Sequence, residues 1–391
     1  DRFKSVNDML GNSAGDALLA QAGQRLQACV APGDVVARLG GDEFAVVLPR
    51  LGSSADAEAT AQRIVDALAQ PFLLQGQQLF VSASVGIAQY PADGRDAATL
   101  LRSADTAMYS AKHNGRNNYR FYLAEMNANA ALRVQTEHQL HLALERGEFE
   151  LHYQPKVKLA TGLVSGFEAL LRWRHPERGL VAPGEFIAIL EETGMILPAG
   201  EWVIAQVCRQ IKAWSARHAP VPPVAINLSA RQLAQDGFAA KVSAIVAEAG
   251  VDPRLLEFEL TESMLMTDPE SAVRILTELK QQGMRLSVDD FGTGYSSLAY
   301  LKRFPLDALK IDRTFVRDLP DDADDAAITK AVISLAHSLN LKVVAEGVET
   351  AGHLDALRAY GCDEIQGYYI SRPLPADGYA LLLANERVLA A

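Results

Sequence analysis

The chain has 391 residues, 49% of them hydrophobic and 22% charged; at roughly 150 residues per domain this supplies two or three cores and excludes disorder as the main state. No apolar run approaches the roughly 20 residues that cross a bilayer, and Asp1-Arg2-Phe3-Lys4 does not resemble a signal peptide, so a cytoplasmic setting is expected. A net charge of −11 argues against a polymeric nucleic acid held on a basic face, while a small anionic substrate stays compatible if cations stand between carboxylates and phosphate.

The first third predicts an α/β unit. A helix is expected from Asp16 to about Val30, with Leu18, Leu19, Ala22, Leu26 and Val30 near helical spacing. Two strand-like runs, from Asp34 and from Glu43, flank Gly40-Gly41, a hairpin signal because both glycines can take positive φ. A helix from about Ser54 to Leu68, a strand from Phe80 to Ala88 and a helix from about Ala97 to His113 follow, suggesting an α+β sandwich. Leu123 to about Arg146 reads as one helix that ends before Gly147 and bridges to a second unit. The expected division is therefore 1–125, a bridging helix 126–147, and 148–391.

From Phe149 the pattern alternates strand and helix. Short apolar runs occur at Phe167–Leu171, Val224–Leu228, Leu255–Leu260, Arg285–Val288, Ala308–Ile311, Lys342–Ala345 and Glu364–Ile365. One intervening helix has Asp268 as N-cap and Pro269 in its first turn, and stops near Gly283. This alternation fits a (β/α)8 barrel, whose chemistry belongs at the C-terminal ends of the strands. Polar residues close nearly every run: Glu168 and Arg172, Asn227, Glu259, Asp289-Asp290, Lys310, Glu346 and Gln366. One such residue is an ordinary loop charge. A whole series of them is a site.

Glu168, Asn227, Glu259, Asp289, Asp290 and Glu346 are oxygen donors that would repel one another at a barrel mouth without cations. Such donors suit Mg2+ or Mn2+, and no histidine cluster competes for a softer metal. Two divalent ions there would serve an in-line phosphoryl displacement. Lys310 could polarise or deprotonate the attacking water, and the forked guanidinium of Arg172 suits a phosphate. The residues alone thus point to a two-metal phosphodiesterase.

Phe167-Glu-Ala-Leu-Leu-Arg-Trp173, Ile226-Asn-Leu-Ser229, Glu259-Leu-Thr-Glu262, Asp289-Asp-Phe-Gly-Thr-Gly294, Lys310-Ile-Asp312, Glu346-Gly-Val-Glu349 and Gln366-Gly-Tyr368 resemble the motifs of the EAL family. The resemblance covers about 149–391 and implies a modified TIM barrel that hydrolyses cyclic di-GMP to linear pGpG. It implies metal ligation by Glu168, Asn227, Glu259, Asp289, Asp290 and Glu346, with Lys310 handling the water and Gln366 near it. Glu262 would hold the 289–294 loop, and Arg172 and Gln154 would contact substrate. Some family members bind without hydrolysing, so a cyclic di-GMP receptor is the alternative.

In the N-terminal unit Gly40-Gly41-Asp42-Glu43-Phe44 sets two carboxylates beside a glycine turn. Lys112 and Arg116, four apart, would project from one helix end as a phosphate clamp. Asn7 and Asp16 could read a guanine edge. With Phe3-Lys4, Gly11 to Asp16 and Ala111 to Arg116, these resemble the GGDEF diguanylate cyclase family. The resemblance implies metal at Asp42 and Glu43, guanine at Asn7 and Asp16, phosphates at Lys112 and Arg116, and hence Mg2+ and GTP. Two departures stand out. The family's first metal aspartate would lie two residues before Asp1, and Ala31-Pro-Gly-Asp34 lacks the arginine of the product-inhibition motif. The chain therefore reads as part of a longer protein whose GGDEF unit is regulatory here. Cyclase activity, or even a mainly cyclase role, is left to a parent with a further N-terminal sensor or membrane domain. Expected partners are cyclic di-GMP, GTP and a second copy of the chain.

Cys29, Cys208 and Cys362 lie far apart and give no disulfide framework or zinc site. His138 and His141 read as a solvated helix face, and Trp173, Trp202 and Trp214 as packing around the barrel.

Overall fold

A computed structural model describes residues 1, 3–74, 76–217, 220–292 and 298–379. The chain forms two units, Asp1–Gln135 and Thr136–Ala391. Among the described residues no helix is long and apolar enough to cross a membrane.

The first unit contains α1 (Phe3–Leu10), α2 (Asn12–Cys29), β1 (Val35–Gly40), β2 (Glu43–Val47), α3 (Ser54–Ala69), β3 (Phe72–Leu74), β4 (Gln77–Leu79), β5 (Val85–Ile87), α4 (Ala97–His113) and β6 (Tyr119–Phe121). The helix α5 (Ala124–Ala143) spans the division between the units. Strands β1 and β2 pair antiparallel, as do β3 and β4, whereas β5 and β6 pair parallel. Helix α3 starts where Ser53 and Asp56 cap one another reciprocally, and it buries Ala57, Ala61, Ile64, Val65 and Leu68 at the spacing of one helical face. Of these, Ile64 and Leu68 join Val6, Leu18, Leu26, Phe72 and Leu74 in the core.

Three local expectations need correction. The strand expected over Phe80–Ala88 is confined to Val85–Ile87. Residues 80–84 have no ladder partner among the described residues, and Ser82 Oγ and Ser84 Oγ donate to the Asp1 carboxylate. In the hairpin only Gly41 takes positive φ, at 51°; Gly40 closes β1 and the turn is Gly41-Asp42. Helix α5 ends at Ala143 rather than Arg146, and the chain turns through Gly147 at φ 67°.

The second unit comprises β7 (Phe149–Lys158), β8 (Val164–His175), β9 (Gly179–Val181), α6 (Ile187–Thr193), α7 (Ile196–Ser215), β10 (Val224–Asn227), α8 (Ala230–Leu233), α9 (Phe238–Ala249), β11 (Leu256–Thr261), α10 (Glu262–Thr267), α11 (Pro269–Gln281), β12 (Arg285–Phe291), α12 (Leu298–Leu301), β13 (Ala308–Ile311), α13 (Ala323–Ser338), β14 (Lys342–Ala345), α14 (Ala351–Tyr360), β15 (Glu364–Ile365) and β16 (Leu374–Pro375). Helix α11 is capped as expected, with Asp268 accepting from Ser271 N at 3.2 Å. Strands β8 and β10 to β15 run parallel in sequence order, and β7 closes the ring by pairing antiparallel with both β15 and β8. The barrel is thus eight-stranded with one reversed strand.

Alternation along each strand sorts the side chains. Val157, Phe167, Ile226, Phe258, Leu286, Leu309, Val343 and Ile365 belong to the apolar core shared with the helices. Their neighbours of opposite parity, including Lys156, Glu168, Asn227, Glu259, Ser287, Lys310 and Gln366, turn into the barrel. Apolar residues outside and polar residues inside make this interior a site rather than a plug. Trp214 joins the barrel core, but Trp173 and Trp202 pack with Phe149 and Phe186 in a separate cluster, not around the barrel as expected.

Candidate active site

The barrel mouth is built from strand ends, with one exception. Glu168 was expected to close its strand, yet it lies well inside the 12-residue β8. Pairing with β10 reaches only Ala169, and the rest of β8 continues beyond the barrel against β7 and β9. Glu168 therefore stands at the mouth although its strand does not stop there. Arg172, of the same parity, lies farther along this extension opposite Glu150.

Glu168 is 6% exposed and accepts from Asn227 Nδ2 at 2.6 Å on Oε1 and from Gln366 Nε2 at 2.5 Å on Oε2. Gln366 also donates to Gln154 Oε1 at 3.0 Å, and Gln154 donates to Ser371 O at 3.0 Å. Two amides and a carboxylate from β7, β8 and the end of β15 thus lock one another. Lys310 Nζ lies 2.6 Å from Glu259 Oε2, 3.0 Å from Asp289 Oδ2 and 2.5 Å from Glu346 Oε1. Glu346 follows β14 and is placed by its N–H donating to Ile311 O at 3.1 Å.

Electrostatics divides these groups. Burial opposes the Lys310 charge, but Glu168, Glu259, Glu346 and Asp289 together hold its pKa well above the usual lysine value. Burial would raise Glu259, yet Lys156 and Lys310 bring it down to about 2. Burial pushes Glu346 up to about 8, with Asp289 and Glu168 adding and Lys310 opposing. Burial also raises Glu168. Asp290 is pushed up to about 6 by burial, then by Asp289 and by Asp312, to which it hydrogen-bonds; its φ is 53°, uncommon for a residue with a Cβ. Burial lowers the Arg172 pKa, and Glu168 opposes that shift.

Glu262 opens α10 and accepts from Gly292 N at 3.2 Å on Oε2, joining β11 to the segment after β12. Thr293 and Gly294 of that motif lie outside the described residues. Among the described residues no three acidic, histidine or cysteine side chains stand spaced as a metal site. The carboxylates close on the Lys310 ammonium instead. As donors they remain hard oxygens gathered around a positive charge, which fits a divalent cation.

Sequence reasoning missed Lys156 and Glu257. Lys156 Nζ lies 2.8 Å from Glu257 Oε1 and 2.6 Å from Glu259 Oε1. The parity of Gln154 and Lys156 on β7 was the available signal, obscured because β7 runs against its neighbours.

The N-terminal residues form two groups, with no hydrogen bond or ion pair between them among the described residues. Asn7 Oδ1 is buried without a partner among the described residues beside Gly15, and the next residue, Asp16, is exposed. Asp42 and Arg116 are exposed and Lys112 is half-buried, and Glu43 is exposed at the start of β2. The shared helix end expected for Lys112 and Arg116 is not formed. Helix α4 stops at His113, and Arg116 lies beyond it at φ 56°.

Comparison with known proteins agrees with this architecture. The EAL domain model matches residues 137–373 and the model for the diguanylate cyclase GGDEF domain matches 1–118. Pseudomonas aeruginosa MucR, a bifunctional diguanylate cyclase/cyclic di-GMP phosphodiesterase, is 46% identical over 96% of this chain and 55% of its own length. The cyclic di-GMP phosphodiesterase NbdA of the same organism is 42% identical over 96% of this chain and 48% of its own. This chain thus spans about half the length of these relatives. The structure of the PaMucR phosphodiesterase in complex with c-di-GMP superposes with TM-score 0.61 at 46% identity, over 62% of this chain and 99% of that one. With its reversed-strand barrel and its matched N-terminal unit, the chain belongs to the EAL domain family, in tandem with a GGDEF domain.

Proposed function

We propose that the barrel is a cyclic di-GMP phosphodiesterase that opens its substrate to linear pGpG. The observation that carries this reading is the convergence of Glu259, Asp289 and Glu346 on Lys310 beside the Glu168–Asn227–Gln366 lock, in a barrel 46% identical to one solved with c-di-GMP. Glu168, Asn227, Glu259, Asp289, Asp290 and Glu346 would hold two Mg2+ or Mn2+. Bound there, the cations would supply positive charge to offset the phosphate and the charge that develops during displacement.

The chain's own residues do the rest. Lys310 Nζ, gathered among these carboxylates, orients a water by donating a hydrogen bond to it. That water's oxygen bonds to phosphorus, the bond from phosphorus to one ribose oxygen breaks, and the proton that the water gives up ends on the leaving oxygen. Arg172, at the extended end of β8, binds a phosphate oxygen, and Gln154 with Gln366 keeps Glu168 in place. Glu262 fixes the backbone at Gly292. In the N-terminal unit, Asn7 and Asp16 would read guanine, with Lys112 and Arg116 on the phosphates of GTP and Asp42 and Glu43 near Mg2+. That unit regulates rather than cyclises.

The test is chromatography of cyclic di-GMP incubated with the full chain and Mg2+ or Mn2+, with and without GTP. Conversion to pGpG is expected. Binding without conversion would replace the enzyme by a receptor.

A further inference from the structure

We infer that Lys156 is a positioning residue of the barrel site: it holds one oxygen of Glu259 from below and so fixes the tilt of this carboxylate, whose other oxygen is presented to a divalent cation. The inference deepens the proposed function and rests on the cation site named there.

Glu259 is 1% exposed and both of its oxygens are held. Lys310 Nζ takes Oε2 at 2.6 Å from the mouth side, and Lys156 Nζ takes Oε1 at 2.6 Å from the layer beneath. The final torsion of a glutamate is broad, so one contact alone leaves the carboxylate plane free to turn. A second contact on the other oxygen fixes that plane. Lys156 can serve as that anchor because it is itself anchored: it is 3% exposed and bonded to Glu257 Oε1 at 2.8 Å, which in turn accepts from Ser287 Oγ at 3.1 Å.

Charge separates positioning from simple neutralisation. Glu168, Glu259, Asp289, Asp290 and Glu346 against Lys310 leave the formal charge that two divalent ions offset. Lys156 and Glu257 add one charge of each sign beneath that set, so they contribute nothing to its net charge. Removing both changes the placement of Glu259 and leaves the total unaltered.

The experiment uses the full chain. Free Mn2+ is titrated by electron paramagnetic resonance without substrate, for the wild type, for Lys156→Met/Glu257→Gln, and for Lys156→Arg, which keeps a cation but moves the donor atoms. Residues that orient metal ligands typically matter tenfold or more in affinity, so Mn2+ binding is expected to weaken about tenfold in the double variant and measurably in Lys156→Arg. The Mn2+ concentration for half-maximal turnover should rise by the same factor, with kcat at saturating Mn2+ within about twofold of wild type. A mere packing role would lower kcat and leave the Mn2+ dependence unmoved, which would overturn the inference. Unchanged Mn2+ affinity in the folded double variant would also overturn it. If that variant fails to fold, Lys156→Arg decides by the same titration. A wild type that takes up no Mn2+ would overturn the cation site itself and this role with it, whereas wild-type uptake matched by the variants overturns only the role of Lys156.

Discussion

Lys310 Nζ and Glu259 Oε2 meet at 2.6 Å with side chains 1% and 0% exposed. Such a pair is costly to break, although Glu259 keeps Lys156 on its other oxygen at 2.6 Å. Lys310→Met also strips Asp289 and Glu346 of their shared cation. In metal-free buffer the variant should lose about 3–5 kcal/mol in urea denaturation, the scale for orphaning a buried charge. Turnover should vanish as well. A loss under about 1 kcal/mol would mean that the carboxylates do not depend on Lys310.

Glu168→Ala should separate chemistry from binding. The carboxylate is locked by Asn227 and Gln366 rather than free to follow the substrate. Its loss should cut turnover of cyclic di-GMP below about a tenth of wild type, more than about 1.4 kcal/mol of barrier. Substrate affinity should fall by a smaller factor in calorimetry. Turnover above that tenth would remove Glu168 from the proposed cation ligands.

Acid sensitivity is expected where β7 and β8 leave the barrel. Burial opposes the Glu150 charge, but His152 and Arg174 donate to its carboxylate and hold its pKa below the ordinary 4.5. A depressed carboxylate contributes stability above its unfolded pKa and loses it as pH falls through the folded value. The wild type should therefore be more stable than Glu150→Gln at pH 7, with the gap closing below about pH 4.5. Urea midpoints at pH 7, 5 and 3.5 read this directly. A gap that widens in acid would reverse the assignment.

The barrel was legible in the sequence because each strand is a short apolar run with polar residues of opposite parity. Val343 and Ala345, Leu309 and Ile311 face the helices, and that alternation survives any change in surroundings. The reversed direction of β7 was not legible, since period-2 patterning carries no polarity. Lys156 stayed hidden for the same reason: its partners Glu257 and Glu259 are about a hundred residues away, and only closure of the ring brings them within reach. The N-terminal unit was harder. Helical spacing placed Lys112 and Arg116 on one face, but the helix stops at His113 and Gly115 turns the chain at φ 98°. The strand expected at residue 80 needed a ladder partner, and the pattern of apolar residues cannot supply one.

Gly15 gives the sharpest test of the N-terminal pocket. It lies inside α2, where glycine costs about 1 kcal/mol relative to alanine. A Cβ at this position would stand 1.9 Å from Asn7 Oδ1 and 3.1 Å from Phe3 Cζ. The Asn7 amide is a side-chain end and can swing aside, so the gain in helix propensity and the cost of displacing Asn7 should nearly cancel in Gly15→Ala. Folding stability should then change by less than about 1 kcal/mol. GTP binding should respond differently. Asn7 Oδ1 is buried without a partner among the described residues, and a donor from a guanine edge would satisfy it. With Asn7 displaced that bond would be lost, and of the two proposed guanine readers only Asp16 would remain. The affinity for GTP in calorimetry should fall about tenfold, the scale of one buried hydrogen bond, while cyclic di-GMP turnover in the absence of GTP stays at the wild-type rate. Equal GTP affinity in Gly15→Ala and wild type would remove Asn7 from the base pocket. A large loss of stability would instead show that Gly15 serves the packing of α1 on α2 and nothing more.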